Sequence, residues 1–233
     1  MNNGLRRSIR ITSTVSVFFI VAVIIAGSIV RMSGSGMGCP DWPKCYGHLI
    51  PPTESQQLEF RPDVQFEKGK MIILNDTLWV ANETFTSGLS FDRANWHKYP
   101  KHDYAIFNAT HTWTEYINRL IGALSGAPVF LLFVLSVIWM VRRRDVLTFL
   151  LAGLTLFMLG FEAWLGKLVV DGNLKSGSIT YHMLGSISIV FLLLYIRHRF
   201  APVSSPEMTD RKARASVIIF FMLIIIQILI GTQ

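Results

Sequence analysis

Polar side chains that could do chemistry are concentrated in the segment HTWTEYINRLIG. His111, Glu115, Asn118 and Arg119 stand at positions i, i+4, i+7 and i+8, so on a helix they share one face. Glu115 and Arg119 are also spaced for an i,i+4 ion pair. Two interpretations follow: a salt bridge that anchors the outer end of a membrane helix, or a polar constellation at the top of a cofactor pocket.

A second polar group lies in the segment LGFEAWLGKLVVDGNL. Glu162 falls inside an apolar run, where an ionisable residue is costly and marks a functional candidate. It is either protonated and packed between helices or part of a proton path. Lys167 and Asp171 are spaced for a second i,i+4 pair near the end of this run, and we expect Lys167 to extend its ammonium group towards the membrane surface.

His182, in the segment SITYHMLGSISIV, is the third candidate. It lies about one turn inside an apolar run, and the small residues Gly185 and Ser186 beside it allow the close approach of a large flat group. A single membrane histidine is often only an interhelical hydrogen-bonding residue. In a four-helix bundle with Glu115 and Arg119 at the same depth, the pattern favours haem ligation, because neutral imidazole is the usual axial ligand. Arginine and lysine near the outer surface would suit haem propionates.

The elements that must position these residues are membrane helices. The chain is 51% hydrophobic and only 16% charged, which is typical of a membrane protein. Apolar runs of about 20 residues, the length that spans a bilayer, predict an all-α membrane protein with a four-helix transmembrane bundle and the start of a second repeat. The runs are 11–31, 118–141, 146–170, 179–197 and 215–233. The first is an uncleaved span, because the apolar region of a signal peptide is only about 7–15 residues long.

The net charge of +7 is concentrated at the start of the chain and in the short loops between spans. Basic residues in every second segment follow the positive-inside rule, so topology explains the charge better than nucleic-acid binding, and no nucleic-acid partner is predicted. Loops 32–115 and 171–178 are expected outside, and loop 142–145 in the cytoplasm. The predicted organisation is a cytoplasmic N-terminus at 1–10, a haem-binding half at 11–197, a cytoplasmic linker at 198–214 and the first span of a truncated second half at 215–233.

The long loop after the first span contains both cysteines of the chain, Cys39 and Cys45. On the outer side of the membrane a disulfide can persist, and Pro40 and Pro43 pre-bend the short segment between the two cysteines. The pair is either a structural staple or a redox-active pair near the membrane surface. The rest of the loop predicts a small cap without a large core of its own, in which MIILNDTLWVANETF fits a strand or a short helix.

A weak internal similarity links IIAGSIVRMSGSG, after the first span, with QILIGTQ at the end of the chain. If the last span restarts the pattern of the first, spans one to four form one repeat of a longer architecture. We therefore expect the chain to be a fragment.

Four segments in order, GSGMGCPDWPKCYG, TEYINRLIGALSG, AWLGKLVV and ITYHMLGS, together resemble the haem A synthase family of the respiratory assembly pathway. The resemblance covers nearly the whole chain and is weakest over 53–105. It implies an eight-span protein of two pseudo-symmetric four-helix halves, each with a haem site formed by paired histidines. The first half would take haem O, whose C8 methyl is oxidised to the formyl of haem A, and the second would hold a haem b that transfers electrons.

The resemblance also implies roles for individual residues. Glu115 matches the family's essential carboxylate and His182 the histidine of span four, an axial ligand of the haem iron. Cys39 and Cys45 match an outer-loop pair that forms a disulfide, which either shapes the haem entrance or takes part in redox transfer.

The chain departs from the family pattern at one ligand position. Asn118 stands where the family has a histidine three residues after the glutamate. Either the axial arrangement differs here or His182 holds the substrate haem alone, and His111 on the same face is a candidate substitute. Arg119 and Lys167 remain candidates for contact with the haem.

The implied partners are a haem O synthase, an electron donor such as ferredoxin or quinol, and the cytochrome c oxidase assembly system, in a bacterial inner membrane; the resemblance also allows a homo-oligomer. Three alternatives stay open. One is a membrane b-type cytochrome that carries electrons, although only His182 is well placed for it. Another is a thiol–disulfide oxidoreductase that uses Cys39 and Cys45, and the last is a non-catalytic assembly factor.

Overall fold

The computed structural model describes residues 2–101, 105–171, 174, 176–202 and 211–231. Five helices account for most of this part: α1 (Asn2–Met32), α2 (Ala109–Arg143), α3 (Val146–Asp171), α4 (Ser176–Arg199) and α5 (Arg211–Gly231). Among the described residues four helices are long and apolar enough to cross a membrane, which confirms the predicted helical membrane protein. They are Asn3–Met32, Ala109–Arg143, Val146–Asp171 and Gly177–Arg199.

Helices α2 and α5 correspond to the spans predicted at 118–141 and 215–233. Helix α2 begins at Ala109, well before the predicted start of that span at 118, so the end of the predicted loop 32–115 is helical and Glu115 lies within α2. The predicted fifth span, 215–233, falls on α5, which the structure describes from Arg211 to Gly231. Residues 203–210 of the predicted linker, 172, 173 and 175 of the predicted loop 171–178, and the last two residues lie outside the described part. The predicted domain limits therefore stay predictions.

The chain divides into two compact units. We call the first the helix unit (Met1–Ile25, Ile121–Gly166 and Lys175–Gln233) and the second the loop unit (Ala26–Leu120 and Lys167–Leu174). The helix unit has an aliphatic core drawn from α1 to α4, formed by Ile9, Ile20, Leu132, Ala152, Ile189, Leu193, Ile196 and Phe200.

Several hydroxyl groups buried in the helix unit donate to backbone carbonyls of their own helices. Ser13 donates to the carbonyl of Ile9 at 2.7 Å, and Thr155 donates to that of Leu151, also at 2.7 Å. Such bonds let polar side chains lie in an apolar environment without an unpaired group, as a membrane interior demands.

Small antiparallel sheets organise the loop unit, in which the sequence allowed either a strand or a short helix. Strands β2 (Met71–Leu74), β3 (Thr77–Ala81) and β5 (Trp96–Lys98) form one sheet, and β1 (Gln65–Phe66) pairs with β4 (Phe85–Thr86). The segment left open between strand and short helix is thus a hairpin. Asn75 and Asp76, both with positive φ, form its two-residue turn, the geometry that matches the twist of paired strands.

The three-stranded sheet has a hydrophobic cluster on each face, because side chains alternate along a strand. Met71, Leu78 and Val80 join Cys39 and Cys45 in one cluster. The other cluster is largely aromatic and contains Phe66, Ile72, Trp79, Ala81 and Trp96. Aromatic packing thus supplies the core for which the loop has few aliphatic residues.

Candidate functional site

Cys39 and Cys45 form a disulfide, as the resemblance implied. Both side chains are completely buried in the loop unit. A thiol–disulfide enzyme must expose its reactive sulfur to a partner thiolate, so this burial favours the structural staple over the redox-active pair.

The segment between the two bonded cysteines, 39–45, together with the preceding Gly38, is called the disulfide loop. One face of helix α2 holds it in place. Glu115, only 3% exposed, accepts a hydrogen bond at Oε2 from the backbone N–H of Cys39 at 2.9 Å. The hydroxyl of Thr112 donates to the carbonyl of Gly38 at 2.8 Å. A Cβ on Gly38 would lie 2.5 Å from the backbone C and O of His111, so only glycine permits this approach.

Arg119 binds the same loop from the next turn of α2. Its guanidinium donates to the carbonyls of Asp41 at 2.7 Å, Lys44 at 3.1 Å and Cys39 at 3.2 Å. It also forms the predicted ion pair with Glu115. The guanidinium that the sequence offered for haem propionates is thus engaged by loop carbonyls in this structure, and its role towards a haem stays a prediction.

The two other polar residues of this face are less engaged. The backbone N–H of His111 donates to Asn108 Oδ1 at 3.2 Å, and its imidazole is half-buried. Asn118 Oδ1 is buried and has no hydrogen-bond partner among the residues that the structure describes. It lies 3.8 Å from where a Cβ on Gly27 would stand, so glycine leaves room beside the amide.

Burial dominates the electrostatics of the disulfide loop. It raises the pKa of Asp41, although the carboxylate accepts a hydrogen bond from the N–H of Gly47 at 3.0 Å. Burial, followed by the nearby charge of Asp41, also raises the pKa of Tyr99, whose hydroxyl donates to the carbonyl of Pro40. The hydrogen bonds of Asp41 and Tyr99 thus hold the disulfide loop in addition to its contacts with α2.

A second cluster lies in the helix unit, between α3 and α4. Glu162, 5% exposed, places Oε2 2.6 Å from Nδ1 of His182, within ion-pair distance, although Nδ1 lacks the alignment of a hydrogen bond. The hydroxyl of Ser186 donates to the same carboxylate oxygen at 3.3 Å. A Cβ on Gly185 would stand 1.8 Å from Glu162 Oε1, so this glycine makes the space that the carboxylate occupies.

Lys167 lies in the loop unit, at the end of α3. Its ammonium is 3.3 Å from a carboxylate oxygen of Asp171, as the i,i+4 spacing predicted, and Lys101 binds the other oxygen. The Lys167 side chain is 36% exposed, and its extension towards the membrane surface stays a prediction.

Sequence reasoning found each member of these clusters but missed how they combine. It singled out Glu162, His182 and Gly185 without pairing the first two, and it attached no role to Thr112 or Gly38. The available signal was the position of Gly185, three residues after His182 on the same helix face.

The fold and site define a multi-pass integral membrane protein in which a buried carboxylate lies beside a partly exposed imidazole. The chain belongs to the COX15-CtaA family of cytochrome oxidase assembly proteins, which it matches over residues 10–85 and 92–233. It is 25% identical to the "Heme A synthase" of Shewanella oneidensis over 219 residues, which cover 93% of this chain and 54% of that protein. The "Heme A synthase" of Rickettsia felis is 26% identical over 212 residues, 85% of this chain and 53% of that protein. No solved structure matches the chain.

Proposed function

We propose that this chain takes part in haem A synthesis, in which the C8 methyl of haem O is oxidised to the formyl of haem A. The family and the names of the relatives support the proposal. The chain spans about half the length of the curated relatives it matches. We therefore assign to it the binding of the haem O substrate, and to the remaining length of the relatives a second site for haem b.

The observation that carries this proposal is the position of His182. It is an imidazole within a helix apolar enough to cross a membrane, and its Nδ1 faces a carboxylate. Nε2 is the ring nitrogen that remains for a metal, and a histidine ligand commonly engages a carboxylate through its other nitrogen.

The donor set fits a haem. In the part of the chain that the structure describes, no three His, Cys, Asp or Glu side chains are grouped as a metal site. An iron ligated by His182 would therefore take its equatorial ligands from a porphyrin. When bound, the haem brings the iron that the oxidation of its own methyl group requires.

The protein's own residues would have separate tasks. The apolar helices exclude water and accommodate a farnesyl-tailed substrate. Glu115, the buried carboxylate of α2, would handle a proton at a carboxylate oxygen during oxidation. His111, Asn118, Arg119 and Lys167 stay candidates for substrate contact.

The same proposal places the chain in a bacterial inner membrane with its basic loops in the cytoplasm. A haem O synthase would supply the substrate, and haem A would pass to cytochrome c oxidase assembly. Dioxygen would oxidise the methyl group, with a ferredoxin or quinol supplying the electrons that reduce its second oxygen atom to water.

The test is to co-express the chain with a haem O synthase, purify it and identify the extracted haem by mass. We expect haem O in the wild-type chain, and its loss in His182→Ala. His198→Ala, an exposed histidine of the same helix, is the matched control. Haem B alone in the wild-type chain would refute the proposal in favour of a b-type electron carrier.

Catalysis is tested where a chain that produces haem A is in hand. Glu115→Gln should retain haem O but accumulate no oxidised product. If this variant oxidised haem O at the wild-type rate, the proposed role of Glu115 in proton transfer would be refuted.

A further inference from the structure

We propose that Glu162 is a positioning residue for His182, seated in a notch that Gly185 provides, and that it directs Nε2 of the imidazole towards the iron of the haem substrate. The inference rests on the proposed function. It gives a role to the Glu162 carboxylate, which has none in the proposed oxidation of haem O.

The first support is the cost of the carboxylate's location. Glu162 lies in the apolar helix α3 with its side chain 7% exposed. An ionisable group in such a place persists when a partner or a function compensates for lost hydration. Among the described residues, Nδ1 of His182 lies within ion-pair distance of this carboxylate, 2.6 Å from Oε2.

The second support is the shape of helix α4. Gly185 follows His182 by three residues, so the ring and the glycine lie on one face. A Cβ on Gly185 would stand 1.8 Å from Oε1 and 2.8 Å from Cδ of Glu162. The hydroxyl of Ser186 reaches Oε2 at 3.3 Å and the His182 carbonyl at 3.0 Å. One turn of α4 thus carries both the imidazole and the seat of its carboxylate.

The consequence concerns which nitrogen can bind metal. With a carboxylate at Nδ1, the Nδ1–H tautomer is favoured and Nε2 keeps its lone pair. A Cβ on Gly166 would stand 3.7 Å from Nε2, so glycine at this position leaves that edge of the ring uncovered by a side chain. The carboxylate therefore selects the ring orientation that ligation needs.

The experiment titrates the purified chain with haem O and records the affinity, the absorption spectrum and the haem midpoint potential. Glu162→Ala removes the carboxylate, and Gly185→Ala displaces it while keeping it in the chain. Both should weaken haem O binding by about 10- to 100-fold, the usual effect of losing a partner of a metal-bound histidine. Gly160→Ala is the matched control, since no atom lies within 4 Å of the added Cβ, and it should bind as the wild type does.

Glu162→Gln separates positioning from packing. The amide has the size of the carboxylate and can place its oxygen at the same distance from Nδ1, but it lacks the negative charge that makes the imidazole a stronger donor to ferric iron. We expect affinity close to that of the wild type and a raised midpoint potential. A packing role alone predicts an unchanged potential in this variant.

The outcomes distinguish the two proposals. If the wild-type chain binds haem O through His182, but Glu162→Ala and Gly185→Ala match Gly160→Ala in affinity and spectrum, the positioning role is refuted and the proposed function stands. If the wild-type chain binds no haem O, the proposed function fails, and the role of Glu162 fails with it.

Discussion

Replacing Gly38 by alanine tests how the disulfide loop is held on helix α2. The backbone φ of Gly38 is −69°, which alanine adopts readily, so backbone strain does not enter. The added Cβ would instead lie 2.5 Å from the backbone of His111 and 2.7 Å from the backbone N of Thr112. Backbone atoms of a long helix cannot move aside as a flexible side chain can. The loop must therefore separate from α2.

The cost follows from the contacts that this separation breaks. The bond from the Cys39 N–H to Glu115 involves a charged group and contributes about 1.5–3 kcal/mol, and the bond from Thr112 to the Gly38 carbonyl about 0.5–1.5 kcal/mol. The free energy needed to open the loop should fall by their sum, about 2–4.5 kcal/mol. At about 1.4 kcal/mol per factor of ten, the open population should rise roughly 30- to 1,600-fold.

Disulfide reduction measures this opening, because Cys39 and Cys45 are fully buried and a reductant reaches them only when the loop leaves its seat. The rate in dithiothreitol, followed by alkylation and mass analysis, should rise by the same factor in Gly38→Ala. Gly88→Ala is the matched control, with no atom within 4 Å of its Cβ. Equal reduction rates in the two variants would show that contact with α2 does not protect the disulfide.

Three further predictions concern charged groups outside the membrane helices. Burial raises the pKa of Asp41, so its ionisation opposes folding as the pH rises above the ordinary carboxyl range; Asp41→Asn should have a higher melting temperature than wild type at pH 7 but not at pH 3. Burial opposes the ionisation of Asp145, but hydrogen bonds and Arg199 prevail and lower its pKa. The free energy of unfolding of Asp145→Asn should therefore be about 1–3 kcal/mol lower than that of the wild type at pH 7. The difference between the two proteins should be smaller at pH 3. Burial and then Lys70 lower the pKa of His48, so Lys70→Met should raise that pKa in an NMR titration, whereas an unchanged value would exclude the lysine as a cause.

The sequence predicted the local pairings because helix geometry alone determines them. Glu115 with Arg119 and Lys167 with Asp171 are four residues apart, and both pairs are present. The helical spans were equally readable, since each requires only a sufficient apolar length.

Tertiary pairings carried no comparable signal. Glu162 and His182 are brought together by two helices packing, and no spacing along the chain encodes that contact. The hairpin at 71–81 was partly readable, because Asn75 and Asp76 favour a tight turn. Its apolar run was nevertheless short enough to fit a helix as well.

The two buried glutamates of the spans make different contacts, and this difference gives the last prediction. Both carboxylate oxygens of Glu115 have donors, the Cys39 N–H and Arg119. If Glu115 handles a proton as proposed, protonation of Oε2 would compete with the Cys39 N–H, and protonation of Oε1 would compete with Arg119, which also binds carbonyls of the disulfide loop. Gly38→Ala should therefore change the rate of haem O oxidation.

Glu162 is held by His182 and Ser186 rather than by a backbone donor. Gly185→Ala should therefore change haem O affinity and leave the rate of disulfide reduction at the wild-type value. The affinity titration and the reduction assay, applied to both glycine variants, check this separation. If each variant altered both measurements to the same extent, the two carboxylates would not have separate tasks, because the effects would then reflect a general loss of structure rather than the contacts each glycine permits.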